Sequence, residues 1–232
     1  MRVLAIESAT ATPSVALVDG ERVLGERPAG ADGTHSERIL PAIDALLRAC
    51  GVGLGDLAGF AIAIGPGSFT GLRVGLATLK GLAFGDPRPA AAVSTLAALA
   101  RRAGDPRREP VAALLDARRG ELYAAVWPAG DAEAPSVAEG LYRPEALARS
   151  LPPRCLLVGE VAAAQLAALQ AVAGAGVRLA PDAAGPCAAQ VGVLGVRLLR
   201  AGAGLPAAQL VPRYLRRAEA EARRTGRALE SP

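Results

Sequence analysis

The chain holds a single histidine, His35, and imidazole is the commonest metal ligand among side chains. A zinc site on one helix needs two such rings four residues apart on the same face. Ile39 stands at the fourth position, so a peptidase-type site of that form is excluded and no metal is assigned. Two acids are better placed for chemistry: Glu7 and Asp116 each close an apolar run, residues 3–6 and 111–115. A carboxylate that ends such a strand can face a cleft between two domains. The run from Gly65 to Gly75, GPGSFTGLRVG, is a second candidate, because a glycine-rich turn that opens a helix presents backbone N–H groups to anions. It lacks the G-x4-G-K-[ST] pattern of a phosphate loop. The turn after Glu7, residues 8–13, contains Pro13 and no glycine, and both features oppose close approach of a phosphate. The matching turn after Asp116, Ala117-Arg118-Arg119-Gly120, has a glycine and two arginines that either bind an anion or stand in solvent. No residue is assigned a catalytic role.

These side chains need strands and helices to position them, and the pattern supplies both. Residues 2–6, 14–18 and 22–26 read as strands, the last two joined by the hairpin turn Asp19-Gly20. Ile39, Leu40, Ile43, Leu46 and Leu47 recur at helical spacing up to Gly51. Residues 60–64 form a strand that feeds the Gly65-Pro66-Gly67 turn and a helix through about residue 84, capped by Ser68 or Thr70. A strand over 90–93 leads to Ser94, the cap of a helix reaching residue 101. Strands follow at 111–115, 121–127 and 137–143, with helices after Pro144, at 161–172 and at 186–201. The charged segment RRAGDPRREP, residues 101–110, divides two domains, 1–103 and 109–232. Both begin with strand, acid, turn, strand, which predicts an internal duplication with Glu7 and Asp116 at equivalent points.

The helix after Ser68 carries Gly71, Gly75 and Gly81, each costing roughly 1 kcal/mol against alanine in a helix interior. Gly71, Gly75 and Thr78 share one face, a small-residue stripe that lets another helix pack closely. Its occupant is either a neighbour in the same chain or another subunit. With the second occupant, Gly75→Leu breaks association and leaves the monomer folded.

The bulk properties limit the function classes. With 232 residues, 51% of them hydrophobic, the chain has ample material for buried cores. It shows no long apolar run and no signal-peptide core, so a cytoplasmic location without membrane contact is expected. Cys50, Cys155 and Cys187 are odd in number and widely spaced, which fits reduced thiols. The net charge is +4. Arg213, Arg216, Arg217, Arg223, Arg224 and Arg227 against Glu219, Glu221 and Glu230 place +3 of it in the last twenty residues. A basic tail rather than a basic groove follows.

Five stretches together resemble one family: His35-Ser36-Glu37-Arg38-Ile39-Leu40-Pro41, the Gly65 to Gly75 run, Val93-Ser94-Thr95-Leu96, Asp116-Ala117-Arg118-Arg119-Gly120-Glu121-Leu122-Tyr123 and Pro212-Arg213-Tyr214-Leu215-Arg216. The series is similar to the TsaB (YeaZ) family over essentially the whole chain. That resemblance implies an α/β fold of the duplicated actin-like type (ASKHA, ribonuclease H-like), two domains with mixed sheets flanked by helices. It further implies a homodimer and a non-catalytic subunit that binds and activates TsaD, which threonylcarbamoylates the adenosine beside the anticodon. TsaE is reached through that complex, tRNA indirectly, and the metal and ATP are used by the partner subunits rather than bound by this chain. Carried onto this sequence, the dimer and partner surface comprises His35, Arg38, Ile39, Phe69, Gly71, Leu72, Gly75 and Thr78. Glu7 and Asp116 then mark a vestigial nucleotide cleft. The competing expectation, an ATP-dependent phospho- or carbamoyl-transferase using the interdomain cleft, gives those two acids a working role.

Overall fold

The structure is a computed structural model that describes residues 1–30, 35–103, 109–130 and 134–216, and of residues 35–37 the backbone. Large and small apolar residues alternate along its first strands, and that alternation decides what packs on each face. In β1 (Arg2–Glu7), Leu4 and Ile6 flank Ala5, and in β4 (Gly59–Gly65), Phe60, Ile62 and Ile64 alternate with Ala61 and Ala63. The large residues join one core with α1 (His35–Cys50) and α2 (Phe69–Leu82), through Ile39, Ile43, Leu46, Leu76 and Leu79. The small side is approached by α6 (Ala188–Arg200). A Cβ on Gly195 would lie 2.3 Å from the Ala61 Cβ, and one on Gly192 2.8 Å from a Val18 methyl. Only glycine lets this helix come so close to the sheet.

The first sheet runs β11-β5-β4-β1-β2-β3, where β2 is Ser14–Asp19, β3 Arg22–Pro28, β5 Pro89–Ser94 and β11 Leu205–Pro206. β1 pairs antiparallel with β2 and parallel with β4. The second sheet runs β10-β9-β6-β7-β8, where β6 is Val111–Asp116, β7 Leu122–Trp127, β8 Val137–Tyr142, β9 Cys155–Val158 and β10 Val177–Leu179. β6 is antiparallel to β7 and parallel to β9. Strand order and direction thus repeat, with β1 matched by β6. Glu7 and Asp116 end these matched strands, paired with Ser14 and Leu122. In the second unit α4 (Pro144–Ser150) and α5 (Ala162–Ala173) cover the sheet through Leu147, Leu151 and Leu169. Among the described residues no helix is long and apolar enough to cross a membrane.

The division of the chain differs from the expected 1–103 and 109–232. One unit comprises Met1–Ala98 with Pro186–Pro212, the other Leu99–Gly185 with the described residues from Arg213 onward. The cause is local to α6. Its Ala188 N–H donates to Ser14 Oγ at 3.1 Å and its Ala189 N–H to Glu26 Oε1 at 2.8 Å. Side chains from β2 and β3 therefore cap a helix more than 160 residues away, each such cap contributing about 1 kcal/mol. α3 (Thr95–Arg102) starts as expected, with the Ala97 N–H on Ser94 Oγ. Residues 104–108, at the centre of the expected boundary, lie outside the described residues.

Candidate functional site

The first acid is spoken for by its own turn. Glu7 is fully buried. Its Oε1 accepts from the N–H groups of Ala9 at 2.6 Å and Thr10 at 3.0 Å, and its Oε2 from Thr10 Oγ1 at 2.6 Å. A buried carboxylate needs such donors to offset lost hydration. The consequence is that these two backbone amides hold a carboxylate of the chain itself. A phosphate arriving at the turn would have to displace Glu7.

The same turn explains the glycines of the Gly65 to Gly75 run. Ser8 Oγ donates to the Gly71 carbonyl at 2.8 Å, and the Ser68 N–H donates to the Ala9 carbonyl at 2.8 Å. A Cβ on Gly71 would lie 1.9 Å from the Ser8 carbonyl oxygen, and one on Gly75 2.1 Å from Ser8 Oγ. Gly67, at φ 155°, would meet the Ala9 oxygen at 2.4 Å. Ser68 caps α2, accepting from the Gly71 N–H at 3.2 Å. The stripe of small residues therefore faces the β1–β2 turn of its own unit. Gly71, Leu72 and Gly75 are buried there, as is Ile39 in the core beneath α1. These four residues leave the expected partner surface, and Gly75→Leu would disrupt the monomer rather than association alone. Of that set, Arg38, Phe69 and Thr78 remain partly exposed. Arg38 Nη1 donates to the Gly30 carbonyl at 2.7 Å, and the Arg73 guanidinium lies 3.8 Å above the Phe69 ring. The side chain of His35 lies outside the described residues.

The opposite face of the helix pair is the one left open. Thr70, Arg73, Ala77 and Gly81 line the solvent side of α2, and Phe84 just beyond it is 92% exposed. Leu40 on α1 is 49% exposed and Leu54, in the following 3-10 turn, 40%. An open groove of about 550 Å³ is lined by Leu40, Ile43, Leu47, Val52, Leu54 and Leu82, with Asp44 and Arg48 also on its wall. Arg88 fixes one wall: its Nη1 donates to the carbonyls of Leu54 and Leu57, while its Nε reaches Asp86 at 2.8 Å. The bonds that the Arg88 side chain and backbone N–H donate to Asp86 lower its carboxyl to about 2, well below its ordinary value. Leu54, Ala77 and Phe84 were not singled out from the sequence, and Leu40 and Gly81 were read only as helix residues, because exposure of an apolar residue has no signature in spacing.

The second acid sits in a different setting. Asp116 Oδ1 accepts from the Arg118 N–H at 2.7 Å, and its Oδ2 lies 3.3 Å from the Arg118 guanidinium. Arg118, Arg119 and Gly120 all have left-handed backbone, φ 65°, 57° and 75°. Arg216 returns to this hairpin, donating to the Ala117 carbonyl at 2.6 Å and pairing with Glu121. Arg213 pairs with Glu139. These two arginines of the expected basic tail are therefore tied to the second unit, while Arg217, Arg223, Arg224 and Arg227 lie outside the described residues. Among the described residues no group of three or more His, Cys, Asp and Glu is arranged to hold a metal. Burial raises the Cys155 thiol to about 12, so it is unreactive at neutral pH.

The family model for TsaD, tRNA N6-adenosine threonylcarbamoyltransferase, matches residues 21–224. The chain is 42% identical over 129 residues to the tRNA threonylcarbamoyladenosine biosynthesis protein TsaB of Haemophilus influenzae, covering 53% of this chain and 52% of that one. The chain belongs to the TsaD family, in its TsaB (YeaZ) branch. It spans about half the length of the curated TsaB relatives it matches. Against YeaZ of Pseudomonas aeruginosa the match is longer: 28% identity, a TM-score of 0.75, and 92% and 99% of the two chains. A ROK hexokinase of Thermus thermophilus, 14% identical with a TM-score of 0.50 over 87% of this chain and 100% of that one, shares the fold alone. The duplicated sheets are thus of the actin-like, sugar-kinase type found in the TsaB branch.

Proposed function

We propose that this chain is a non-catalytic subunit of the machinery that makes threonylcarbamoyladenosine in tRNA, docking through the open face of α1 and α2 onto TsaD and onto a second copy of itself. The observation that carries this is the exposed apolar surface of the helix pair: Leu40 and Leu54 line an open groove, and Ala77, Gly81 and Phe84 are exposed on α2 and just beyond it. A monomer gains nothing by keeping a phenylalanine 92% exposed, and exposed apolar patches mark association sites. The occupied Glu7 turn supports an accessory role, because the amides that would face a phosphate already hold a carboxylate. In this account the metal, the ATP and the transferred group belong to the partners.

The test is a reconstituted modification reaction with TsaD, TsaE, tRNA and ATP. With the chain present, threonylcarbamoyladenosine is expected to accumulate at least tenfold faster than without it. Equal rates with and without the chain would contradict the accessory role.

A further inference from the structure

We propose that Arg88 is a positioning residue for docking: its guanidinium holds the loop of residues 51–57 in place, so that Leu54 is set as one wall of the groove against an apolar side chain of the partner. The partner is TsaD, and the choice rests on the docking role proposed above. The first observation is that the loop has little of its own to hold it. Gly51, Gly53 and Gly55 alternate with Val52 and Leu54, and glycine loses more conformational freedom on ordering than any other residue. Crowding does not demand the last two: a Cβ on Gly55 would meet nothing within 4 Å, and one on Gly53 would lie 3.4 Å from Asp56. Residues 53–56 are all exposed.

The second observation is the clip that holds this loop from outside. Arg88 Nη1 donates to the carbonyls of Leu54 and Leu57, 34 and 31 positions away, the latter at 2.9 Å. The guanidinium is itself fixed on its other sides. Its Nε lies 2.8 Å from both carboxylate oxygens of Asp86, its Nη2 donates to the same carboxylate, and its Cζ stands 5.2 Å from the centre of the Phe60 ring. A planar fork can serve a carboxylate on one side and two carbonyls on another, which the single nitrogen of a lysine cannot. The third observation is what the clip leaves in solvent. Leu57 is buried, but Leu54 is 40% exposed, so anchoring its backbone places an apolar side chain where the monomer gains little from it. That side chain lines the groove with Leu40, Ile43, Leu47, Val52 and Leu82. Asp44 and Arg48 on the same wall pair with each other, so the groove suits a neutral apolar group rather than an ion. A loop ordered before docking spares the complex the entropy of ordering it.

The experiment measures the affinity of the full chain for TsaD by isothermal titration calorimetry. The variants are Arg88→Ala, Arg88→Lys, Leu54→Ala and each Arg88 change combined with Leu54→Ala, at a temperature where circular dichroism shows them folded. Arg88→Lys keeps the charge beside Asp86 without the fork, and it carries the test alone if Arg88→Ala does not fold. Hydrogen exchange of the free chains is followed alongside. The expected result is affinity weaker by roughly tenfold for either Arg88 variant, with faster exchange at the amides of residues 53–57 and unchanged exchange in α1 and α2. Adding an Arg88 change to Leu54→Ala is expected to cost nothing further. Wild-type affinity in the Arg88 variants would overturn the proposal, and so would loop exchange equal to that of the wild type. A full additional loss in the double variants would also overturn it, because Arg88 would then act by its own contact or through overall stability rather than through Leu54. If the Arg88 variants bind as the wild type does while Leu40→Glu with Phe84→Glu does not bind, this proposal falls and the docking role stands; a wild-type chain that does not bind TsaD removes the docking role and this proposal with it.

Discussion

A carboxylate taken wholly out of water must find donors, and Glu7 finds three within its own turn. Shortening it to alanine would strand the Ala9 and Thr10 amides in a buried site, at a cost of about 1–3 kcal/mol for each orphaned group. Glu7→Ala is therefore expected to lower the free energy of unfolding by about 3 kcal/mol in urea titration. A variant as stable as the wild type would show that the turn does not depend on this acid. The sequence marked Glu7 as special, because an acid ending an apolar strand is unusual, and it disfavoured phosphate through Pro13 and the absence of glycine. What it could not reveal is the partner: side-chain to backbone bonds within three residues leave no periodic trace, and the Ser8–Gly71 contact spans 63 positions.

Among elements, α2 shows how one helix serves two neighbours. Its buried face, Gly71 and Gly75, lies against the β1–β2 turn, and its open face, Thr70, Ala77 and Gly81, meets solvent. The glycines are thus of two kinds, and substitution separates them. Gly71→Ala places a methyl group 1.9 Å from a backbone oxygen and is expected to destabilise the chain by about 3 kcal/mol. Gly81→Ala meets nothing within 4 Å and is expected to stabilise it by roughly 0.5–1 kcal/mol. Calorimetry on both variants checks the pair; equal effects would mean that the faces are misassigned. Periodicity disclosed the helix and its small-residue stripe, and the helices and longer strands fell within a few residues of expectation. β9, β10 and β11 were missed, being four, three and two residues long, too short for alternation to register. The side of the helix that met the chain was a tertiary fact beyond spacing.

For the whole molecule, the repeated strand order explains why the two halves began alike, and a duplicated fold was legible because strand, acid and turn recur in that order. The passage of α6 back to the first sheet was not legible: its apolar face would suit either sheet, and the choice rests on Ser14, Glu26 and the alanine side of β4. The open face of α1 and α2 is the proposed docking surface. Sedimentation velocity of the chain mixed with TsaD, wild type against Leu40→Glu with Phe84→Glu, tests it most directly. The prediction is a complex with the wild type and two separate species with the variant, whose circular dichroism and unfolding temperature match the wild type. A variant that joins TsaD as tightly as the wild type would contradict it.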